Sequence, residues 1–187
     1  MGKEYTEIDA KVQAWIERQH MFFVATAPLA ADGLINCSPK GLDSLRVLGP
    51  NELAYVDIGG SGIETLAHLR ENSRIVIMMC AFDGRPNIFR FYGKGTAVEP
   101  HEADFAELLA NFPQQPAARN IICIQVERII DSCGYGVPLY DFRADRDSLD
   151  NYYGEKSDQE IREYRAKRNN KSLDGLPGLT INSDSTG

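Results

Sequence analysis

A succession of short strand-like runs, broken by turn signals, constrains this fold most. Runs at 21–27, 34–40, 44–48, 52–58, 74–81, 87–98 and 121–130 are rich in β-branched, aromatic and other apolar residues. Asp32-Gly33, Gly49-Pro50-Asn51 and Asp83-Gly84-Arg85-Pro86 punctuate them as turns. Helical patterns are fewer. Thr6 can cap an opening helix on which Ile8, Val12, Trp15 and Ile16 share a face, ending near His20. A second starts at Ser61, where Ser61-Gly62-Ile63-Glu64 reads as a capping box. A third, from about 101 to 111, carries Phe105, Leu108 and Leu109. The helices do not alternate regularly with the strands, which argues against a parallel α/β sheet. A mainly β (α+β) antiparallel barrel with peripheral helices fits better.

Composition excludes several classes. The longest apolar run, 75–82, is far short of the roughly 20 residues a membrane helix needs. The first twenty residues are too charged for a signal peptide. With 20 basic and 27 acidic residues the formal charge is -7, and no basic block suits nucleic acid. Cys37, Cys80, Cys123 and Cys133 form no C-x-x-C and read as free, buried thiols of a cytoplasmic protein. His20, His68 and His101 lack metal-ligand spacing, so no metal site is expected.

The charge is distributed unevenly. Residues 140–171 hold 8 acidic and 8 basic side chains, with Glu160, Glu163 and Lys167 at helical spacing, as on an exposed helix. Residues 172–178 read as turns, and those after Thr180 as a mobile end. The whole -7 therefore belongs to the rest of the chain, where Lys40 and Arg90 lie in apolar, strand-rich stretches. That leaves room for one small anion rather than a polyanion.

Four segments can carry chemistry. Asn36-Cys37-Ser38-Pro39-Lys40-Gly41 places hydroxyls and a lysine at a strand end. Residues 57–65 form a Gly-rich turn feeding a helix N-terminus, where free N–H groups and the helix dipole attract anions. Lys40, Ser61, Gly62 and Thr65 can thus build a phosphate cradle; equally, Ser61 can be a helix cap and nothing more. Arg90 shares a strand face with Tyr92, opposite Phe89 and Phe91. It is either a solvated strand residue or an anion or flavin contact. Tyr135, between Gly134 and Gly136, is either a pocket wall or an ordinary loop residue.

In this order the segments resemble the pyridoxamine 5'-phosphate oxidase-like family of flavin-binding split barrels, from about Met21 to Ile130. The resemblance rests on Ser38-Pro39-Lys40-Gly41, on Tyr55-Val56-Asp57 with the Gly/Ser turn into Glu64-Thr65-Leu66, and on Asn72-Ser73-Arg74-Ile75-Val76. The last matches a family Asn-Pro-Arg-Val junction with Ser73 in place of proline. Arg90-Phe91-Tyr92-Gly93-Lys94-Gly95 completes the series. It implies an antiparallel split β-barrel and a homodimer with FMN (flavin mononucleotide) in clefts at the interface. Ser38, Lys40, Ser61, Gly62 and Thr65 would contact the phosphate; Arg90 would flank the flavin, and Tyr135 would sit where a partner subunit contributes. Thr65 stands about where the true oxidases have a lysine. No histidine follows His101, so their C-terminal Arg-with-His substrate pattern is unmatched.

The expectation is one FMN-binding barrel domain at 1–140, with a charged helical extension at 141–187 packed on it. The function expected is a cytoplasmic FMN-dependent oxidoreductase acting on a small molecule, with no catalytic side chain assigned. The alternatives are a flavin carrier or sensor without turnover and, third, a haem-related split barrel. Neither membrane nor nucleic acid is expected as a partner.

Overall fold

A computed structural model describes residues 2–113 and 118–180. The segment after Thr180, expected to be mobile, lies outside the described residues. In chain order the elements are β1 (Glu4–Tyr5), α1 (Ala10–Ile16), β2 (Phe22–Thr26), β3 (Asn36–Lys40), β4 (Leu45–Gly49) and β5 (Glu52–Ile58). There follow α2 (Glu64–Asn72), β6 (Arg74–Cys80), β7 (Ile88–Val98), α3 (Phe105–Leu109), β8 (Ala118–Ser132), α4 (Ser148–Gly154) and α5 (Asp158–Arg168).

The eight strands form one antiparallel sheet in the order β3-β2-β6-β7-β8-β5-β4, with β1 pairing β8. Fifteen-residue β8 holds it together by pairing β1, β5 and β7. The sheet curls around Val24, Tyr55, Ile77, Phe91, Ile122 and Ile129, each at most 1% exposed. Burying a side chain such as Phe91 contributes about 1.5–3 kcal/mol. This is the antiparallel split barrel with peripheral helices that the strand pattern predicts. Its open side lies between edge strands β3 and β4. The Phe22 ring of β2 and the Tyr55 ring of β5 meet edge-on there, 5.5 Å apart.

Strand alternation decides which residues point inward. Phe89 and Phe91 are buried while Tyr92 is exposed, as a period of two requires. β5 departs from alternation: Leu53 to Asp57 are all buried. Its second face is covered too, because Ala54 and Val56 pack with Ile121 and Phe112, against which α3 lies. Between Tyr92 and Gly93 the β7–β8 register shifts, and a Cβ at Gly93 would run into the Gln125 carbonyl.

Several local expectations need correction. Asp9, not Thr6, caps α1, accepting from the Lys11 and Val12 amides at 2.9 and 2.8 Å, and the helix stops at Ile16. Of the four free cysteines only Cys80 is buried; Cys37 and Cys133 are exposed. Cys37 alternates outward on β3, and Cys133 lies beyond the end of β8. His101 sits in a turn rather than a helix. The Ser61–Glu64 capping box does not form: α2 starts at Glu64 after Ile63, and no side chain caps it. The physical reason is competition from the C-terminal segment: the Glu64 carboxylate accepts from the Leu173 amide. Asn169 Nδ2 holds the same turn from its carbonyl side, donating to the Gly60 and Ser61 carbonyls at 2.9 and 3.3 Å. A full capping box exists instead on α5, between Ser157 and Glu160.

Candidate functional site

The site grows from the alternation of β3. Asn36, Ser38 and Lys40 are half-buried on one face, while Cys37 and Pro39 face solvent. Asn36 Nδ2 donates to Thr65 Oγ1 on α2 at 3.0 Å and to Thr26 Oγ1 on β2 at 3.2 Å. Ser38 donates to Asn36 Oδ1 at 2.9 Å. His68 of α2 joins through Nδ1 and Thr26 Oγ1, 2.9 Å apart. Burial lowers the His68 pKa, which favours the neutral ring inside this network. Ser38 and Thr65 therefore meet through Asn36, which fastens the hairpin to the helix.

At the end of the same face, Lys40 Nζ lies 2.6 Å from Asp57 Oδ1 across the open side of the barrel. Arg119 Nε lies 2.8 Å from Asp57 Oδ2, and its Nη1 donates to the Gly60 carbonyl at 3.0 Å. Burial alone would push the Asp57 pKa up; the charges and hydrogen bonds of Arg119 and Lys40 outweigh it and hold the carboxyl below its ordinary value. Two cations against one carboxylate leave one net positive charge. It lies beside the Gly59–Gly60 turn, whose Gly60 carbonyl accepts from Arg119.

Outside this cluster opens a cavity of about 1060 Å³. Lys40, Gly41, Gly59 and Gly60 line its barrel side, and residues 140–153 with Tyr164 line the other. Two ring stacks fasten that outer wall: Phe142 on His20, with centroids 3.6 Å apart and planes 7° apart, and Tyr140 on Phe82 at 5.5 Å. Glycine is required at Gly59, where a Cβ would collide with the Tyr153 hydroxyl.

The other expected residues fall as follows. Ser61 and Gly62 are exposed on the turn, close in sequence to Gly60. Arg90 lies on β7 opposite Met78 and Ile130, with its guanidinium donating to Ser132 Oγ at 3.0 Å. Tyr135 is 83% exposed and lines a second recess of about 940 Å³ with Trp15, Ser132 and Cys133. The two recesses share Arg18, Gln19 and Asp83. Arg90 and Tyr135 thus sit away from Lys40 in the single chain.

Sequence reasoning gave no role to Asp57, Arg119, Asn36 or Asn169. A signal existed for Asp57. A carboxylate inside the apolar run Leu-Ala-Tyr-Val-Asp-Ile must find a cation once buried. Nothing local marks Arg119 as its neighbour, or Asn169 as the partner of the Gly60 and Ser61 carbonyls.

A curled eight-stranded antiparallel sheet, split on the side where Lys40 meets Asp57, defines a split-barrel protein. The chain belongs to the pyridoxamine 5'-phosphate oxidase family, whose model matches residues 8–133. It is 37% identical to the pyridoxamine 5'-phosphate oxidase family protein ustO of Aspergillus flavus over 192 residues, covering 94% of this chain and 77% of that protein. A match of that extent runs well past residue 133, so the likeness includes much of the C-terminal extension. Among solved structures, HupZ of group A Streptococcus has a TM-score of 0.51 at 23% identity, covering 67% of this chain and 99% of that one. A Lactobacillus delbrueckii protein provisionally named a pyridoxamine 5'-phosphate oxidase has a TM-score of 0.51 at 16% identity, covering 68% and 98%. These two likenesses speak for the fold. No described helix is long and apolar enough to cross a membrane.

Proposed function

We propose that this chain binds FMN in the Lys40 cleft and acts as an oxidoreductase on a small molecule. The observation that carries this reading is the meeting of Lys40 with the Gly59–Gly60 turn in one cavity wall. These groups fit a phosphate monoester: one net positive charge, the Ser38 and Ser61 hydroxyls, and a backbone that Gly60, with open space around it, leaves approachable. A bound flavin supplies hydride and electron transfer. The chain's own part is positional. Asp57 and Arg119 hold Lys40 in place, and the Asn36 network fixes β3 against α2. A homodimer belongs to the same reading, with Arg90 and Tyr135 serving a cleft completed by the second copy.

Titration with FMN tests it. Quenching of flavin fluorescence is expected on the parent chain. Lys40→Ala should weaken binding by roughly 10–150-fold, the worth of one charge-assisted contact of about 1.5–3 kcal/mol. No quenching on the parent, or an unchanged dissociation constant in the variant, overturns the reading. Sedimentation should give twice the 20.8 kDa chain mass. Bleaching by NADH or NADPH tests turnover, and FMN bound without reduction would leave a carrier.

A further inference from the structure

We infer that the cavity between barrel and extension binds a planar aromatic ring of a small-molecule substrate, against the free faces of Phe142 and Tyr152. The reaction rests on the flavin reading above, and this inference narrows its substrate class. Three observations support it. First, about 1060 Å³ stands at the upper end of ligand-pocket sizes, roughly 300–1,000 Å³, so the cavity is large enough for a ring system.

Second, the wall is aromatic rather than merely apolar. Phe82, Tyr140, Phe142, Tyr152, Tyr153 and Tyr164 line it, six of the chain's sixteen Phe and Tyr. The other apolar lining is smaller, with Met21, Pro39, Leu42, Ala144 and Leu149. Tyr140, Phe142 and Tyr152 keep 63%, 49% and 45% of their surface exposed, although each borders the cavity.

Third, the two central rings are held with one face covered. His20 stacks on Phe142, and Lys156 Nζ sits 4.5 Å from the centroid of Tyr152. Tyr153 and Tyr164 brace Tyr152 edge-on at 5.1 and 6.4 Å. A pinned ring with its other face uncovered is arranged for offset stacking, which favours flat rings over aliphatic groups of equal area.

The test uses the full chain, with and without FMN, and a pair of probes that differ in flatness. 2-Naphthol should bind about tenfold more tightly than its saturated analogue decahydro-2-naphthol, the scale that two ring contacts set. The double variant Phe142→Leu, Tyr152→Leu should lose that preference and keep its FMN affinity. If it fails to fold, Tyr152→Leu alone should lose several-fold in 2-naphthol affinity, and Tyr152→Phe should retain it. Equal binding of the two probes, or displacement of FMN by 2-naphthol, overturns the inference. Flat-ring preference in a chain that ignores FMN upholds this site and overturns only the flavin reading.

Discussion

Asp57 shows what a single buried charge demands. Its side chain is 1% exposed between Arg119, 5% exposed, and Lys40, 20% exposed. Asp57→Asn leaves Arg119 buried without its counter-charge, so unfolding free energy should fall by about 3–5 kcal/mol. Urea midpoints measure this, and a loss under 1 kcal/mol would contradict it. The sign of the pH effect follows from the depressed carboxyl. Its contribution is complete above the ordinary carboxylate value of about 3.8 and is lost as pH falls through its lower folded value. The strand end carrying Ser38 and Lys40 was legible from the sequence alone. Their partners were not, since Asp57 lies 17 residues from Lys40 and Arg119 lies 62 from Asp57. Only pairing of β5 with β8 brings Arg119 to it.

At the scale of elements, α2 carries the argument. Its last turn ends on Ser73 in the left-handed region, φ +61°, with the Ser73 amide donating to the Leu69 carbonyl at 3.0 Å. Proline, which the family resemblance places there, locks φ near -65° and has no N–H. Serine at this position is therefore a consequence of the helix cap. Ser73→Gly relieves the strained side chain and should raise stability by about 0.5 kcal/mol, net of the added freedom of the unfolded chain. Ser73→Pro should lower it by roughly 3 kcal/mol. Thermal unfolding of the pair checks both, and a stabilising proline would refute the left-handed cap. The helix's existence was legible from Leu66 and Leu69, its start was not. The sequence 61–64 satisfies the rule for a capping box, yet the Glu64 carboxylate it needs is bonded to the Leu173 amide, more than a hundred positions away.

For the whole molecule, the extension is a structural partner of the barrel. Asn169, fully buried, holds the Gly60 and Ser61 carbonyls; Arg70 bonds Glu99 and the Gly178 carbonyl. The exposed character of α5 was readable from its charges: four of its eleven residues, Ile161, Tyr164, Arg165 and Ala166, are half-buried and none is buried. Asn169→Ala should cost about 1–3 kcal/mol and speed hydrogen exchange of the 59–65 amides. Unchanged exchange there would show that the turn holds without the extension.

The position of β8 has a consequence for how the chain is made. Without it, two sheets remain: β3-β2-β6-β7 on one side and β4-β5 on the other, with β1 unpaired. During synthesis from the N-terminus, neither β5 nor β7 can close its free edge until residues 118–132 have left the ribosome. The barrel is therefore obliged to assemble late, in one step, around a strand made after every strand it joins.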